Sequence, residues 1–253
     1  MRTNRYQIPR GGHAYVAQLR TRDEDLAFEL SEAVGRIGST AWGESDWLLK
    51  TVGDRKTART KAIELFNDSE RTLRRFDTIL HSGQRAIWGA FKTAVIAPEN
   101  MIGFVAVEPD VSGSPRTIAT KRVLDVVSTI TRYPKSRVYT KIEGVDVHPD
   151  YQGAGLGLAL AHSALMKTAD RRHTTAYTFD TNQQVIEMLS TNDFELTASA
   201  EDPTRPAVTV NTDYFGEDYP VNQLRFESTG DALQTVASLE HGHNWLRSYT
   251  KVS

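Results

Sequence analysis

The spacing of apolar positions along the chain predicts its first elements. Residues 13–20 alternate between apolar and polar side chains, which is typical of a half-buried strand. Apolar residues then return every three or four positions, as on one face of a helix, and either Thr21 or Asp23 can cap its first turn. We expect this helix to end near Gly35 and Gly38, because glycine is unfavourable inside a helix.

Two longer segments follow. Residues 37–50 contain Gly, Ser and Asp and predict a loop, in which Trp42 and Trp47 anchor the backbone to the core. Residues 57–80 have apolar positions at a period close to that of a helix, with Arg and Lys between them. They predict one long amphipathic helix with a break near Asn67.

The period then changes to that of strands. Residues 87–96 and 101–107 are rich in β-formers and are separated by a turn over 97–100, so they predict a hairpin. Residues 109–137 return to a helical period. The charged positions of this segment are mostly basic: Arg116, Lys121, Arg122, Arg132, Lys135 and Arg137, with Lys141 beyond it.

Strands and helices alternate in the second half of the chain. A strand ends at Val147, a helix runs to about Arg171, residues 174–179 form the next strand, and Asn182 opens another helix. Late strands are predicted over 196–199, 208–212 and 224–226, and a last helix over 232–246.

The composition is that of a soluble globular protein in one domain. The chain has 253 residues, of which 39% are hydrophobic and 25% charged. No apolar run approaches the ~20 residues of a membrane span, and the amino-terminal residues lack the apolar stretch of a secretory signal. We therefore expect a cytoplasmic protein without membrane contact, folded as a single domain over 1–253.

Two features of the composition limit the chemistry. The chain has no cysteine, which excludes disulfides, cysteine-ligated zinc and an acyl-cysteine intermediate, and we predict no metal site. Residues 181–253 carry 11 acidic and 4 basic side chains, an acidic excess that mildly favours a cationic ligand near this part of the chain.

The most informative stretch is 144–162, where a glycine-rich loop joins a strand to a helix. Glycine lets the backbone turn sharply and lets an anion approach the amides, and the helix amino terminus attracts negative charge. A nucleotide P-loop would need Lys and Ser or Thr after Gly157, and a dinucleotide fingerprint would need glycine in place of Leu158. The sequence therefore predicts a diphosphate cradle of another kind.

The positions of Val147, Pro149, Gln152, Gly155 and Gly157 resemble the pyrophosphate loop of the GNAT superfamily of acyl-CoA-dependent N-acetyltransferases. This resemblance implies an α/β fold with a mixed, splayed central sheet of six to seven strands flanked by helices. It also divides the chain into a core over about 85–196, helical additions over about 44–80 and 109–137, and acidic carboxy-terminal strands and a helix over 197–253.

The resemblance implies acetyl-CoA as co-substrate and a set of donor-binding residues. The amide near Val147 would hold the oxyanion of the reacting carbonyl, and the amides of the loop would hold the pyrophosphate. The predicted set is Val145, Val147, Gln152, Gly153, Ala154, Gly155, Leu156, Gly157, Leu158 and Asn182.

Amide formation needs a base, because an alkylamine with a pKa near ~10.4 is almost wholly protonated at neutral pH. Strand alternation places Glu143 on the same face as Val145 and Val147, and we predict it as the base in preference to Asp146 on the opposite face. The family commonly places a tyrosine near the sulfur, where this chain has Leu189. Candidates for the acid are therefore Ser190, Tyr177, Tyr214 or solvent.

The sequence thus predicts direct transfer of an acetyl group from acetyl-CoA to a primary amine. Two alternatives stay open: modification of a nucleic-acid-linked amine, for which the basic residues 116–141 would bind the polyanion, and a non-catalytic acyl-CoA-binding module. The resemblance also offers a second role for the segment 37–50, as a lid over the acceptor.

Overall fold

A computed structural model describes residues 3–9, 12–81, 85–110, 139–168, 173–199 and 204–252. Ten strands of this part form one mixed sheet, in the order β10-β1-β2-β3-β4-β5-β6-β9-β7, with β8 also paired to β9. The strands are β1 (Thr3–Ile8), β2 (Gly12–Gln18), β3 (Ala86–Phe91), β4 (Met101–Asp110), β5 (Tyr139–Val147), β6 (His173–Phe179), β7 (Phe194–Leu196), β8 (Val208–Asn211), β9 (Val221–Asp231) and β10 (Thr250–Val252). The predicted mixed sheet is confirmed, with more strands than expected.

The sheet is splayed at its centre. The β5–β6 pair is parallel, and its register runs only from Thr140 opposite Thr174 to Ile142 opposite Ala176. Beyond that point β5 continues to Val147, still paired with β4, while β6 continues beside β9. The two strands therefore diverge towards their carboxyl ends and leave a gap in the middle of the sheet.

Helices cover both faces of the sheet. They are α1 (Glu24–Gly43), α2 (Asp46–Val52), α3 (Arg55–Phe66), α4 (Ser69–Leu80), α5 (Leu156–Thr168), α6 (Gln183–Ser190) and α7 (Ala232–Gly242). On one face α5 and α7 pack in a core with apolar side chains such as Val105, Leu160 and Phe226. On the other face α1 and α4 pack against a second core that includes Phe104 and Ile87. None of the helices in the described ranges is long and apolar enough to cross a membrane.

The first helix corrects the sequence prediction. Asp23 caps it as expected, through a 3.1 Å bond from the Leu26 amide to its carboxylate. The helix does not end at Gly35 or Gly38, because these glycines serve packing: a Cβ on Gly38 would lie 2.0 Å from the Phe66 ring. The segment 37–50 is helical rather than a loop, except for Glu44 and Ser45 between α1 and α2.

The predicted long helix over 57–80 is interrupted where expected. The helix α3 ends with Asn67 as its C-cap, and Asp68 caps α4 by accepting a 2.9 Å bond from the Arg71 amide. A short polar side chain that competes for backbone amides explains the break.

Both ends of the chain differ from the prediction. The strands β1 and β10 pair with each other at the edge of the sheet and were not predicted, since both are short and largely polar. The last helix ends at Gly242 rather than at 246, and a 3-10 turn over Asn244–Ser248 follows it. Of the basic segment predicted over 109–137, residues 111–137 lie outside the described part.

Candidate functional site

The gap between β5 and β6 opens into a cleft of about 1270 Å³. This exceeds the roughly 300–1,000 Å³ of an ordinary small-molecule site, so the cleft has room for more than one small molecule. The glycine-rich loop before α5 lines one part of it, and the end of α1 with α2 and α4 lines the other. Asp146, near the end of β5, lines the same cleft.

The glycine-rich loop has the geometry of an anion cradle. Gly153 has φ 71° and Gly155 has φ 88°, values at which a side chain would strain the backbone. The first amide of this stretch with a backbone acceptor is that of Ala159, which bonds to the Gly155 carbonyl at 3.2 Å. Within the described ranges, no hydrogen bond engages the six amides from Gly153 to Leu158. Together with the start of α5, they form a surface of unpaired donors.

The side chains of the loop support its shape. The Gln152 side-chain amide donates a 3.0 Å bond to the Val147 carbonyl, which ties the loop to the strand before it. A Cβ on Gly157 would lie 3.4 Å from the Val145 side chain, and one on Gly155 would lie 2.8 Å from the Trp245 ring. The loop is therefore clamped between β5 and the carboxy-terminal 3-10 turn.

The predicted donor-binding residues largely come together. Val145, Val147 and Gln152 line the cleft, as do Asn182 and five further loop residues: Gly153, Gly155, Leu156, Gly157 and Leu158. Asn182 also caps α6 by accepting a 3.4 Å bond from the Val185 amide. Ala154 is buried and is not one of the lining residues, so the structure does not place it in the cleft.

Glu143 lies in the cleft but is already engaged. It is the extra residue of a β-bulge, since Ala106 pairs with Gly144 and Val107 with Ile142. The strict alternation from which its position was predicted is therefore interrupted. Its carboxylate accepts a short hydrogen bond from the Arg85 guanidinium.

Asp146 is a second carboxylate in the cleft, and it is buried, with 8% of its surface exposed. It lies opposite Phe104 in the register, on the face that α1 covers, as alternation predicts. The indole N–H of Trp42 donates a 2.7 Å hydrogen bond to its Oδ1. Burial raises the pKa of Asp146 to about 7, against the opposing effect of the Trp42 hydrogen bond.

Trp42 belongs to an aromatic cluster that closes the part of the cleft lined by α1, α2 and α4. The cluster comprises Trp42, Trp47, Phe66, Phe179, Tyr214 and Phe215, with ring centroids of contacting pairs between 4.7 and 6.3 Å apart. Trp47 is buried, as expected for a core anchor. Trp42 is only half-buried and lines the cleft, where it also positions a carboxylate. Sequence patterns gave no signal for that contact, because it joins residues 104 positions apart.

The candidate acids are placed unequally. Tyr177 on β6 and Tyr214 in the aromatic cluster both line the cleft, and the Lys141 ammonium lies 5.1 Å from the Tyr177 ring centre. Ser190 is exposed at the end of α6 and is not among the lining residues. Leu189 is buried and lines the cleft, at the position where the family commonly has a tyrosine.

A splayed parallel pair of strands with an anion cradle at its mouth defines the class of protein. The model of the acetyltransferase (GNAT) family matches residues 58–194, more than half of the chain. The chain therefore belongs to the GNAT acetyltransferase family.

Comparison with solved structures finds similar proteins of low sequence identity. PaiA N-acetyltransferase from Thermoplasma acidophilum, in complex with coenzyme A, is 12% identical, with a TM-score of 0.49 over 85% of this chain and 98% of that one. The ribosomal-protein-S18-alanine N-acetyltransferase from Escherichia coli is 12% identical, with a TM-score of 0.41 over 85% and 92%. Arabidopsis thaliana NAA60, in complex with a bisubstrate analogue, is 14% identical, with a TM-score of 0.43 over 61% and 81%. No curated protein matches the sequence significantly.

Proposed function

We propose that this protein, acting as one unit over 1–253, transfers an acetyl group from acetyl-CoA directly to a primary amine. The observation that carries the proposal is the place of Asp146. A buried carboxylate lines the same cleft as the anion cradle, next to the strand end from which the cradle begins. Family membership supports acetyl transfer, and the carboxylate supports an acceptor that must lose a proton.

The donor would lie along the cradle. The unpaired amides from Gly153 to Leu158 fit the pyrophosphate, because amide donors at a helix amino terminus favour negative charge. The gap beyond Ile142 leaves one edge of β5 without a neighbouring strand, so the backbone near Val147 can meet the reacting carbonyl. Acetyl-CoA supplies a thioester whose carbonyl carbon accepts the amine nitrogen.

Asp146 would be the base. A carboxyl group with a pKa near 7 is partly ionised at neutral pH, and it can take a proton from an ammonium group, directly or through water. Glu143 stays an alternative, but part of its hydrogen-bonding capacity is taken by Arg85. We therefore favour Asp146, the reverse of the preference that alternation alone suggested.

Protonation of the leaving thiolate would come from Tyr177 or Tyr214, since both phenols line the cleft. The assignment of Ser190 remains a prediction that its exposed position outside the lining does not support. The C–S bond breaks as the amide forms, and the sulfur takes up one proton, so a phenol would need resupply from solvent.

The test is release of free CoA from acetyl-CoA in the presence of a panel of primary amines, with the products identified by mass spectrometry. An acetylated amine formed only with the protein present supports the proposal. Absence of CoA release with every amine would refute catalysis. CoA-dependent thermal stabilisation without turnover would then favour the non-catalytic acyl-CoA-binding module, a candidate kept because Leu189 has no acidic proton to donate.

A further inference from the structure

Two arginines have no acidic partner within the described ranges. They lie in the part of the cleft lined by α1, α2 and α4, which is called the acceptor half because the proposed amine would bind there. Arg71 and Arg75 both line the cleft, and they are four residues apart on α4, so they share one helix face. Neither side chain has a carboxylate oxygen within 4 Å, although neighbouring Arg74 and Arg85 pair with Glu108 and Glu143. The contrast distinguishes these two guanidinium groups from the others in the same wall.

Arg75 is the more unusual of the two, because only 7% of its surface is exposed. Its Nη2 donates to the Phe66 carbonyl at 2.7 Å and to the Thr72 hydroxyl at 3.0 Å, while its Nε is buried without a hydrogen-bond partner. Gly35 makes room for it, since a Cβ there would lie 2.9 Å from Nη2. Burial, with the charges of Arg85 and Arg71, lowers the pKa of Arg75 to about 10, against the smaller opposing effect of the Asp68 charge.

Arg71 is half-buried, and its guanidinium carbon lies 5.7 Å from the ring centre of Tyr214. Tyr214 and Phe66 both contact Trp42, at ring-centroid distances of 6.0 and 5.1 Å. Both arginines are therefore one residue removed from Trp42, which itself bonds to Asp146. A molecule whose amine lies at Asp146 can reach them with its other end.

Acids lie nearby, but none forms an ion pair with either arginine within the described ranges. Asp68, Glu70 and Asp213 also line this part of the cleft, but none pairs with Arg71 or Arg75. Asp213 is the one acid of the described part of the carboxy-terminal region that lines the cleft. The expectation of a cationic ligand rested on the acidic excess of 181–253. Most of the acidic residues in the described part of this region lie outside the cleft lining.

Resting on the proposed function, we propose that the acceptor is an amine that also carries an oxyanion, a carboxylate or a phosphate, and that Arg71 and Arg75 bind it. A buried guanidinium that faces only neutral acceptors costs free energy, and an anionic ligand group supplies the missing charge and a charge-assisted hydrogen bond. The amine is thereby oriented with its nitrogen towards Asp146 and its anionic end towards α4.

The experiment measures binding to protein saturated with CoA, so that the cradle is already filled. Two matched pairs of probes are titrated by calorimetry: O-phosphoethanolamine with ethanolamine, and 5-aminopentanoate with pentylamine. Wild type is expected to bind the oxyanion-bearing member of at least one pair about tenfold more tightly, which also identifies the oxyanion. Arg71→Gln is expected to remove that preference.

The matched control is Arg36→Gln, which removes the same charge from the exposed side of α1, outside the cleft lining. It is expected to keep the preference. Arg75→Lys is a second variant, expected to weaken the preference about threefold or more, with thermal melting as the check on folding. The inference would be overturned if ethanolamine and pentylamine both bind as tightly as their oxyanion-bearing partners, or more tightly. A preference that survives Arg71→Gln would also overturn it.

A separate arm keeps this inference distinct from the proposed function. CoA release from acetyl-CoA is measured with the same four amines. If none of the four amines causes CoA release, the result counts against catalysis. The binding preference would still report on the oxyanion site. Release with ethanolamine and pentylamine at equal or higher kcat/KM than with their oxyanion-bearing partners would contradict the oxyanion site while supporting the transferase.

Discussion

The indole N–H of Trp42, in the last turn of α1, donates a 2.7 Å hydrogen bond to the Asp146 carboxylate in β5. This contact joins α1, which lines the cleft opposite the glycine-rich loop, to the strand that continues into that loop. It favours the ionised carboxylate, whereas burial favours the protonated one, and burial is the larger effect. The balance leaves Asp146 able to change its protonation state near neutral pH.

Replacing Trp42 should change the pKa of Asp146. Trp42→Phe keeps an aromatic ring but removes the donor, so the pKa of Asp146 is expected to rise further. A hydrogen bond to a charged group contributes about 1.5–3 kcal/mol, which corresponds to about one to two pH units. The lower inflection of the pH profile of kcat/KM should move up by that amount.

The control for this prediction is Trp47→Phe, which alters the same aromatic cluster without touching Asp146. Its lower inflection should stay near that of wild type. If both variants shift the profile equally, the hydrogen bond is not what sets the pKa.

Asp146→Asn should lower turnover without destabilising the protein. Loss of a general base typically costs about 10²–10⁴ in turnover, and the affinity for acetyl-CoA should not change, because the cradle amides remain. Asparagine carries no charge, so the mutant protein avoids the cost of burying a carboxylate. Turnover and acetyl-CoA affinity are measured separately, and wild-type turnover in this variant would remove Asp146 from the mechanism.

The stability of the wild type should depend on pH through the same group. The folded pKa of Asp146, about 7, lies above the ordinary value of 3.8, so the folded protein binds the proton more tightly than the unfolded chain. Stability is therefore lost as pH rises from about 4 to about 7, by up to roughly 4 kcal/mol. The stability that Asp146→Asn gains over wild type, measured by urea unfolding, should be larger at about pH 8 than at about pH 5. An equal difference at both pH values would contradict the raised pKa.

The cradle can be tested with a matched pair of glycines. Gly153 and Gly53 both have positive φ, 71° and 91°, and a Cβ on either meets nothing within 4 Å. Gly153→Asp places a negative charge beside the predicted pyrophosphate and should weaken acetyl-CoA binding at least tenfold. Gly53→Asp carries the same kind of backbone strain, about 1–2 kcal/mol, but lies at the end of α2 outside the cleft lining. Its acetyl-CoA affinity should equal that of wild type, and a similar loss in both variants would point to strain instead.

Glu143→Gln distinguishes the two candidate bases. If Asp146 is the base, this variant should retain turnover within about tenfold of wild type and keep the lower inflection near pH 7. The expected loss comes from Arg85, which would have a neutral partner in place of a carboxylate. A loss of 10²-fold or more with the inflection removed would instead assign the base to Glu143.

The backbone shape of the glycine-rich loop could be predicted because its determinants are local. A strand, two glycines at positive φ and a following helix occupy consecutive positions, and glycine has few substitutes there. The helix over 24–43 could not be delimited in the same way, because a Cβ on Gly38 would clash with Phe66, and local propensity carries no information about that contact.

The placement of the two candidate bases depends on contacts that sequence patterns do not encode. The bulge at Glu143 interrupts the alternation used to place that residue, and the preference for Asp146 arises only from burial by α1 and from Trp42. Arg71 and Arg75 looked like ordinary polar positions of an amphipathic helix, and only the fold shows that the latter is buried. Long-range packing, rather than residue type, determines which titratable groups are buried and which partners they contact.

The central claim is that Asp146 is the base of an acetyl-CoA-dependent amine acetyltransferase. Its most direct test is the rate of CoA release from acetyl-CoA, measured against pH for wild type and Asp146→Asn with an amine that the panel identifies. We predict a wild-type rate that rises with pH through an inflection near 7, and a variant rate at least 10²-fold lower that lacks this inflection. A variant that keeps the wild-type rate and pH profile would contradict the claim.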